Sequence, residues 1–280
     1  MKRCLAVFTL LVFSLMTQAQ SNFNTLQHYF NNPAIVLVAS HRAVHHTLPE
    51  NSIPAFQKAI EIGVDIIETD VKVSKDGIPF LLHDRTLNRT TNGRGNAEEY
   101  TLAELNTLYL KDSQGKLTSE RIPTLEELLR LAKGKIYIDL DLKTDRLSPV
   151  VEMIRKMDMS AQVFFFDDDT TALAQVRQVN AADQLMPRAH SKTQAEELLS
   201  SFKPKLIHID HSFYEAPVSE LIKKQGARVW INALGEPDAL VRKGQIEKGL
   251  SMVLDHGANV IQTDEPELLL KLLKERKLHP

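Results

Sequence analysis

The chain has a single cysteine, Cys4, and this scarcity removes several classes of site at once. A lone cysteine forms no disulfide within the chain, and no thiol nucleophile or cysteine metal site is available after residue 4. Stability must therefore come from a hydrophobic core. A chain of 280 residues with 43% hydrophobic residues is long and apolar enough to form one.

The chain also lacks an excess of charge of either sign. Lys and Arg number 34 against 36 Asp and Glu, which gives a formal net charge of −2. Nucleic-acid-binding domains carry clustered basic surfaces, so the sequence predicts no nucleic-acid partner. Internal repeats, low-complexity tracts and long linkers are absent as well, which favours one large domain over two small ones.

Long hydrophobic runs are also lacking. The apolar stretch at residues 5–16 is too short for a comfortable membrane span. Lys2 and Arg3 precede it and the small residue Ala19 follows it, which is the form of a secretory signal peptide. We therefore expect residues 1–20 to be removed on export. The mature domain, residues 21–280, would then work in the periplasm or outside the cell.

Short apolar runs alternate with helical patterns along the remaining chain. Strands are predicted to begin at residues 35, 65, 136, 163, 185, 206, 228 and 259, and a final helix at residues 266–277. Strands that alternate with helices predict a parallel α/β architecture, and eight strands fit a (β/α)₈ TIM-type barrel. The active site of such a barrel lies at the carboxyl ends of its strands.

The second strand, at residues 65–73, has an additional apolar run behind it. The turn Ser74-Lys75-Asp76-Gly77 separates it from residues 79–83, and this connection is too short for a parallel crossover. We therefore predict a hairpin that brings His83 back close to Glu68. Residues 85–122 are rich in polar and turn residues, with a weak helix near 103–108, and are interpreted as an insertion over the site.

Carboxylates on two neighbouring barrel strands suggest a cation site. Glu68 and Asp70 share one face of the second strand, and Asp139 and Asp141 share one face of the next barrel strand. Ligands that are all oxygen suit a hard cation such as Ca²⁺ or Mg²⁺. The alternative is a salt-bridged strand end in which nearby basic residues neutralise the carboxylates.

Two histidines, His41 and His83, end two of the apolar runs near these carboxylates. Either one alone would more often be structural, but a pair beside carboxylates favours acid and base catalysis. Arg42 and Lys143 place cations in the same cleft, and an arginine fork matches phosphate geometry. The sequence therefore predicts an anionic, phosphorylated small-molecule substrate.

These residues occur in an order that resembles the glycerophosphodiester phosphodiesterase family. The resemblance covers nearly the whole chain after residue 20 and is carried by the following segments: His41-Arg42, Pro49-Glu50-Asn51-Ser52, Glu68-Thr69-Asp70-Val71, Lys75-Asp76-Gly77, His83-Asp84, Leu140-Asp141-Leu142-Lys143, Val229-Trp230-Ile231-Asn232 and Ile261-Gln262-Thr263-Asp264-Glu265-Pro266. The combination of the N-terminal segments is highly specific, whereas each segment alone is weak.

The resemblance implies metal-dependent hydrolysis of glycerophosphodiesters to glycerol 3-phosphate and an alcohol. In this mechanism a free glycerol hydroxyl attacks phosphorus, a cyclic phosphate forms, and water opens it. The resemblance also implies the following roles: acid and base for His41 and His83, ligation of one Ca²⁺ or Mg²⁺ by Glu68, Asp70 and Asp141, and phosphate binding by Arg42 and Lys143. Which histidine acts first as base, the headgroup and the oligomeric state stay open.

Two positions depart from the family pattern. Ala43 stands where a glycine usually follows His-Arg, and Asp141 stands where the family usually has glutamate. Aspartate is one methylene shorter, so the ion must shift, gain a water or recruit Asp139. Two alternative functions remain: a lysophospholipase D-like phosphodiesterase, which an apolar channel would favour, and a non-catalytic barrel that binds phosphorylated polyols.

Overall fold

A computed structural model describes residues 23–280 of the chain, and the predicted signal peptide lies outside these residues. The strands are β1 Leu37–Ser40, β2 Ile66–Val73, β3 Pro79–Leu81, β4 Tyr109–Lys111, β5 Leu117–Arg121, β6 Tyr137–Leu142, β7 Val163–Asp167, β8 Gln184–Ala189, β9 Leu206–Ile209, β10 Arg228–Asn232 and β11 Val260–Thr263. The helices are α1 at residues 23–31, α2 Ile53–Ile62, α3 Leu102–Leu105, α4 Leu125–Ala132, α5 Leu147–Lys156, α6 Thr170–Val179, α7 Lys192–Phe202, α8 Ala216–Lys224, α9 Glu236–Arg242, α10 Ile246–Leu254 and α11 Pro266–Glu275.

Eight of the strands close into a parallel barrel in the order β1, β2, β6, β7, β8, β9, β10 and β11. The barrel closes because β1 pairs in parallel with both β2 and β11. Strands β1 and β11 are buried along their whole length, as expected for a parallel sheet covered by helices. The predicted (β/α)₈ barrel is confirmed. Within residues 23–280, every helix is too short or too polar to cross a bilayer.

Helix α2 illustrates how local sequence sets the boundaries of these elements. The Ser52 hydroxyl accepts a hydrogen bond from the backbone N–H of Ala55, and a proline occupies the first turn. Gly63 ends the helix in the left-handed conformation, with φ at 79°, which glycine adopts without steric cost. The face between these caps buries Phe56 against the barrel, so the helix is amphipathic.

The predicted hairpin is also confirmed, because β3 pairs antiparallel with β2 and places Leu81 opposite Val71. Residues 85–122 contain α3 and a second hairpin formed by β4 and β5. The sequence patterns did not predict this hairpin because β5 is mostly exposed and carries no apolar alternation. The segment packs on a hydrophobic cluster of its own, formed by Phe80, Leu82, Leu87, Ala97, Leu105, Leu110 and Ile122.

The amino-terminal end of the barrel is covered by α1. The guanidinium of Arg228, at the start of β10, is buried and donates hydrogen bonds to five backbone carbonyls: those of Tyr29, Phe30, Asn32, Ile35 and Asn259. Four of these carbonyls belong to α1 and the chain that follows it. The contact therefore attaches α1 to the barrel and leaves the opposite end open for a site.

Candidate active site

The carboxylate cluster is created by the register of β2 and β6. These strands are parallel, with Glu68 opposite Asp139 and Asp70 opposite Asp141. One carboxylate oxygen from each of Glu68, Asp70 and Asp141 lies within 4.8 Å of the other two. Side chains that alternate along two adjacent strands thus meet inside the barrel mouth, as the sequence indicated.

Burial and mutual repulsion act strongly on these groups. Burial first, and then the charges of Asp70, Asp141 and Asp139, raise the pKa of Glu68 well above its usual value. Burial also raises the pKa of Asp141 to about 6, although Lys143 opposes the shift. Among residues 23–280, no donor lies within hydrogen-bond distance of Asp70 Oδ1. The ammonium of Lys143 lies 4.0 Å from this oxygen, beyond hydrogen-bond distance, so Asp70 Oδ1 is still available as a ligand atom and the cluster fits a hard metal ion.

The two basic residues predicted near the phosphate lie against these carboxylates. Lys143 Nζ is 2.6 Å from Asp141 Oδ2 and 4.0 Å from Asp70 Oδ1. Arg42 Nε is 3.6 Å from Asp70 Oδ2, while its Nη1 donates to Glu50 at 3.1 Å. Both cations therefore offset carboxylate charge in the structure as described.

His41 follows β1 directly and faces the cluster. Its Nδ1 is 2.7 Å from Asp264 Oδ1, and its Nε2 is 4.0 Å from Glu68 Oε2. The next two residues turn the chain sharply, with φ at 49° for Arg42 and 63° for Ala43. This turn directs the backbone N–H of Arg42 to Glu68 Oε2 at 2.8 Å. A left-handed conformation is unfavourable for both residues.

His83 follows β3 and has a similar arrangement. Its Nδ1 is 2.8 Å from Asp84 Oδ1. The guanidinium of Arg89, in the insertion, donates two hydrogen bonds to Asp84 and two to Glu50. Because Glu50 also accepts from Arg42, one arginine connects the surroundings of His83 to the loop that follows His41.

A cavity of about 110 Å³ brings the predicted groups together. It is lined by His41, Glu68, Asp70, His83, Asp139, Asp141, Phe166, Arg188, His208, Asn232, Leu234 and Gln262. Lys143 lies on the wall of a larger neighbouring cavity of about 770 Å³. Neither lining includes Arg42, whose guanidinium contacts Glu50 and Asp70 instead.

Three residues that line this cavity, His208, Asn232 and Gln262, were not assigned to the site from the sequence. His208 is buried, and burial followed by the charge of Arg188 lowers its pKa to about 3, so the ring is neutral. Trp230 is fully buried and donates its Nε1–H toward Asn232 Oδ1 at 3.1 Å and Gln262 Oε1 at 3.3 Å. The tryptophan therefore orients two amides on the cavity wall.

Asp264 and Asn51 were also missed, although the sequence carried a signal for each. Asp264 stands immediately after β11, where the rule that places chemistry at strand ends applies. Asn51 lies in the Pro49-Glu50-Asn51-Ser52 segment; its Nδ2 donates to Asp70 Oδ2 at 2.8 Å, and its Oδ1 accepts from Thr69. Arg89 had no such signal because it lies in an insertion without apolar periodicity.

The family model and two similar curated proteins point to the same family. The model of the glycerophosphoryl diester phosphodiesterase family matches residues 41–225. A glycerophosphodiester phosphodiesterase of Caldanaerobacter subterraneus subsp. tengcongensis is 29% identical over 250 residues, which cover 85% of this chain and 98% of that protein. A glycerophosphodiester phosphodiesterase of Bacillus altitudinis is 28% identical over 257 residues, which cover 86% of this chain and 99% of that protein.

Solved structures share the fold. The crystal structure of a glycerophosphoryl diester phosphodiesterase from Parabacteroides distasonis has a TM-score of 0.79 and 26% identity, covering 92% of this chain and 93% of that one. The structure of an Oleispira antarctica phosphodiesterase in complex with the product sn-glycerol-3-phosphate has a TM-score of 0.70 and 24% identity, covering 86% of this chain and 97% of that one.

Proposed function

The chain belongs to the glycerophosphoryl diester phosphodiesterase family, and we propose that His41 and His83 act as its acid–base pair in releasing glycerol 3-phosphate and an alcohol. The family match confirms the resemblance seen in the motifs. Curated relatives with this activity span most of the chain, so the protein is an enzyme, a glycerophosphodiester phosphodiesterase. The sn-glycerol-3-phosphate complex of the Oleispira antarctica phosphodiesterase supports the proposed product.

One observation carries the proposed mechanism: both histidines line one cavity, and each has Nδ1 against a carboxylate. A carboxylate beside Nδ1 favours the tautomer that carries its hydrogen there, so Nε2 is free to accept a proton. Asp264 orients His41 in this way, and Asp84 orients His83. Two imidazoles that each present a free Nε2 are suited to move protons on opposite sides of one phosphorus atom.

The chemistry then proceeds in two steps. In the first, Nε2 of one histidine takes the proton of the glycerol hydroxyl beside the phosphodiester, and that oxygen bonds to phosphorus. The bond from phosphorus to the alcohol breaks, and the departing oxygen takes a proton from the protonated second histidine. In the second step water attacks the cyclic phosphate, and the two histidines exchange roles.

We further propose that Glu68, Asp70 and Asp141 hold one divalent cation, Ca²⁺ or Mg²⁺. When bound, such a cation polarises the phosphate oxygens and offsets the charge that develops on them. The short side chain of Asp141 is compensated by its neighbour on the same strand face, because buried Asp139 has an oxygen without a donor among the described residues. Lys143 lies beside these ligands and offsets the charge of the phosphate.

The walls of the larger cavity favour a water-soluble substrate over a lysophospholipid. Of the residues from the described part of the chain that line the 770 Å³ cavity, only Leu142, Leu147 and Ala172 are apolar, and the others are charged or polar. An acyl chain would gain little from such a wall, because its burial requires apolar surface. We therefore propose a glycerophosphodiester with a small polar headgroup, acted on after export as the N-terminal pattern suggests.

Release of glycerol 3-phosphate from a panel of glycerophosphodiesters tests this function. The protein is stripped of metal and resupplied separately with Ca²⁺ and Mg²⁺. We expect metal to restore release, and His41→Ala or His83→Ala to lower turnover by about 10²- to 10⁴-fold. The control is His256→Ala, because His256 is exposed at the end of the barrel opposite the site. Absence of release with every substrate and metal would favour the non-catalytic polyol-binding barrel.

A further inference from the structure

We propose that His41, His45 and Asp264 form a second metal site, separate from the carboxylate cluster, which binds Zn²⁺ or a chemically similar cation. One ligand atom from each of these residues lies within 4.8 Å of the other two. The inhibitory effect that we derive for this site rests on the proposed role of His41. Binding of the metal itself does not depend on that role.

The distances suit a zinc ion. His41 Nδ1 is 2.7 Å and His45 Nε2 is 3.6 Å from Asp264 Oδ1. Zinc binds nitrogen and carboxylate oxygen at about 2.0–2.1 Å in a tetrahedral arrangement, so its ligand atoms lie about 3.3 Å apart. These two distances differ from that spacing by about 0.6 and 0.3 Å, and the two imidazole nitrogens lie within 4.8 Å of each other, so modest side-chain shifts would form the site.

The tautomer of His45 directs a lone pair into this group. His45 Nδ1 lies 2.9 Å from the carbonyl of His41 and 3.2 Å from that of Ala43. Carbonyl oxygens only accept hydrogen bonds, so Nδ1 carries the ring hydrogen. The lone pair of Nε2 then faces Asp264 Oδ1, and two acceptors oppose each other at 3.6 Å. A metal ion bound between these two atoms would remove the repulsion between their lone pairs, and so would a hydrogen on Nε2. Zinc titrations distinguish these two possibilities.

The donor set distinguishes this site from the carboxylate cluster. Two imidazoles and one carboxylate suit zinc, whereas ligands that are all oxygen suit Ca²⁺ and Mg²⁺. The side chains of His41, His45 and Asp264 are 17%, 20% and 29% exposed, so water has access to a fourth position. His41 and Asp264 follow adjacent barrel strands, which makes the backbone of the site rigid.

Metal at this site would stop the proposed reaction. His41 Nδ1 would give its lone pair to the metal, and the single hydrogen of the ring would move from Nδ1 to Nε2. A ring with hydrogen on Nε2 and metal on Nδ1 has no lone pair left to accept the proton of a substrate hydroxyl. The metal would also remove the hydrogen bond between His41 and Asp264. Zinc therefore acts as an inhibitor that leaves the carboxylate cluster loaded.

The test uses protein saturated with excess Ca²⁺. Zinc binding is measured by isothermal titration calorimetry, and glycerol 3-phosphate release is measured over a zinc series. We expect wild-type protein to bind about one zinc and to lose turnover as it does so. His45→Asn should keep its basal turnover, because the Asn amide can still donate to the two carbonyls. Its zinc affinity and its sensitivity to inhibition should both fall at least about tenfold.

His46→Ala is the matched control. His46 is the next residue in the chain, and its Nε2 pairs with Glu265 at 2.9 Å, outside the three-residue group. It should bind zinc and be inhibited as wild type is. Equal zinc binding by wild type and His45→Asn would overturn the proposal, as would absence of zinc binding to the Ca²⁺-saturated protein. If no substrate is turned over, calorimetry still tests the site independently of the proposed function.

Discussion

Replacing Arg89 with methionine tests how the insertion supports catalysis. The guanidinium of Arg89 donates to both oxygens of Asp84 at 2.8 Å and to Glu50 at 2.7 and 2.8 Å. Hydrogen bonds from Arg89 first, and then from His83, hold the pKa of Asp84 well below its usual value. Asp84 would be ionised near neutral pH without Arg89 as well, so Arg89 is a positioning residue that holds the Asp84 carboxylate against His83 Nδ1.

The size of the effect follows from this geometry. The Arg89 side chain is 49% exposed, so each of its two ion pairs stabilises the fold by at most about 1 kcal/mol. We therefore expect Arg89→Met to lower the free energy of unfolding by about 1–2 kcal/mol. Turnover should fall further, because a displacement of about 1 Å in a catalytic group can cost about 10²-fold. That loss corresponds to about 2.7 kcal/mol in the activation free energy.

A double-mutant cycle measures whether this loss passes through His83. The kcat of Arg89→Met is determined in the wild-type background and in the His83→Ala background. We expect a loss of about 10²-fold in the first and little further loss in the second. Arg130→Met is the control, since Arg130 pairs with Glu126 on the exposed face of α4. Equal losses in both backgrounds would refute the reasoning.

Three further sets of substitutions test the carboxylate cluster, the turn after β1 and the amino-terminal end of the barrel. Burial raises the pKa of Asp141 from 3.8 to about 6, so the folded, metal-free protein retains a proton that the unfolded chain loses in this interval. Wild-type stability is therefore lost as pH rises, and this loss is absent in Asp141→Asn. In chelator, the free energy of unfolding of Asp141→Asn relative to wild type should increase by about 3 kcal/mol between pH 4 and 7 in thermal unfolding, whereas a difference that does not change with pH would contradict this. Ala43→Gly should change the free energy of unfolding by less than about 1 kcal/mol, because relief of the strained φ of 63° offsets the loss of a buried methyl group. Ala43→Val should lower the free energy of unfolding in urea by more than about 2 kcal/mol, because a β-branched residue is strained at this φ. Arg228→Met should lower the free energy of unfolding in urea by about 3 kcal/mol, because the buried carbonyls around it lose their charged donor. A decrease below about 1 kcal/mol would argue against the role of Arg228 in attaching α1 to the barrel.

Much of this protein was determined by patterns that are local in the sequence. Apolar runs that alternate with amphipathic helices specify a barrel, because each strand must be covered by the helix that follows it. The period of two along a strand places Glu68 and Asp70 on one face, and the same period places Asp141 beside them on β6. A turn of four residues was enough to predict the hairpin that carries His83. These inferences depend only on neighbours in the chain or on adjacent strands.

Other features depend on parts of the chain that meet only when the barrel closes. His41 and Asp264 are 223 residues apart, and they touch because β1 pairs with β11, the last strand. Arg89 reaches Glu50 only because the insertion folds back over the mouth. No periodicity distinguishes His45, whose free ring nitrogen faces Asp264, from His46, which pairs with a glutamate. Local pattern decides which face a side chain occupies, whereas closure and loop packing decide which distant side chain it meets.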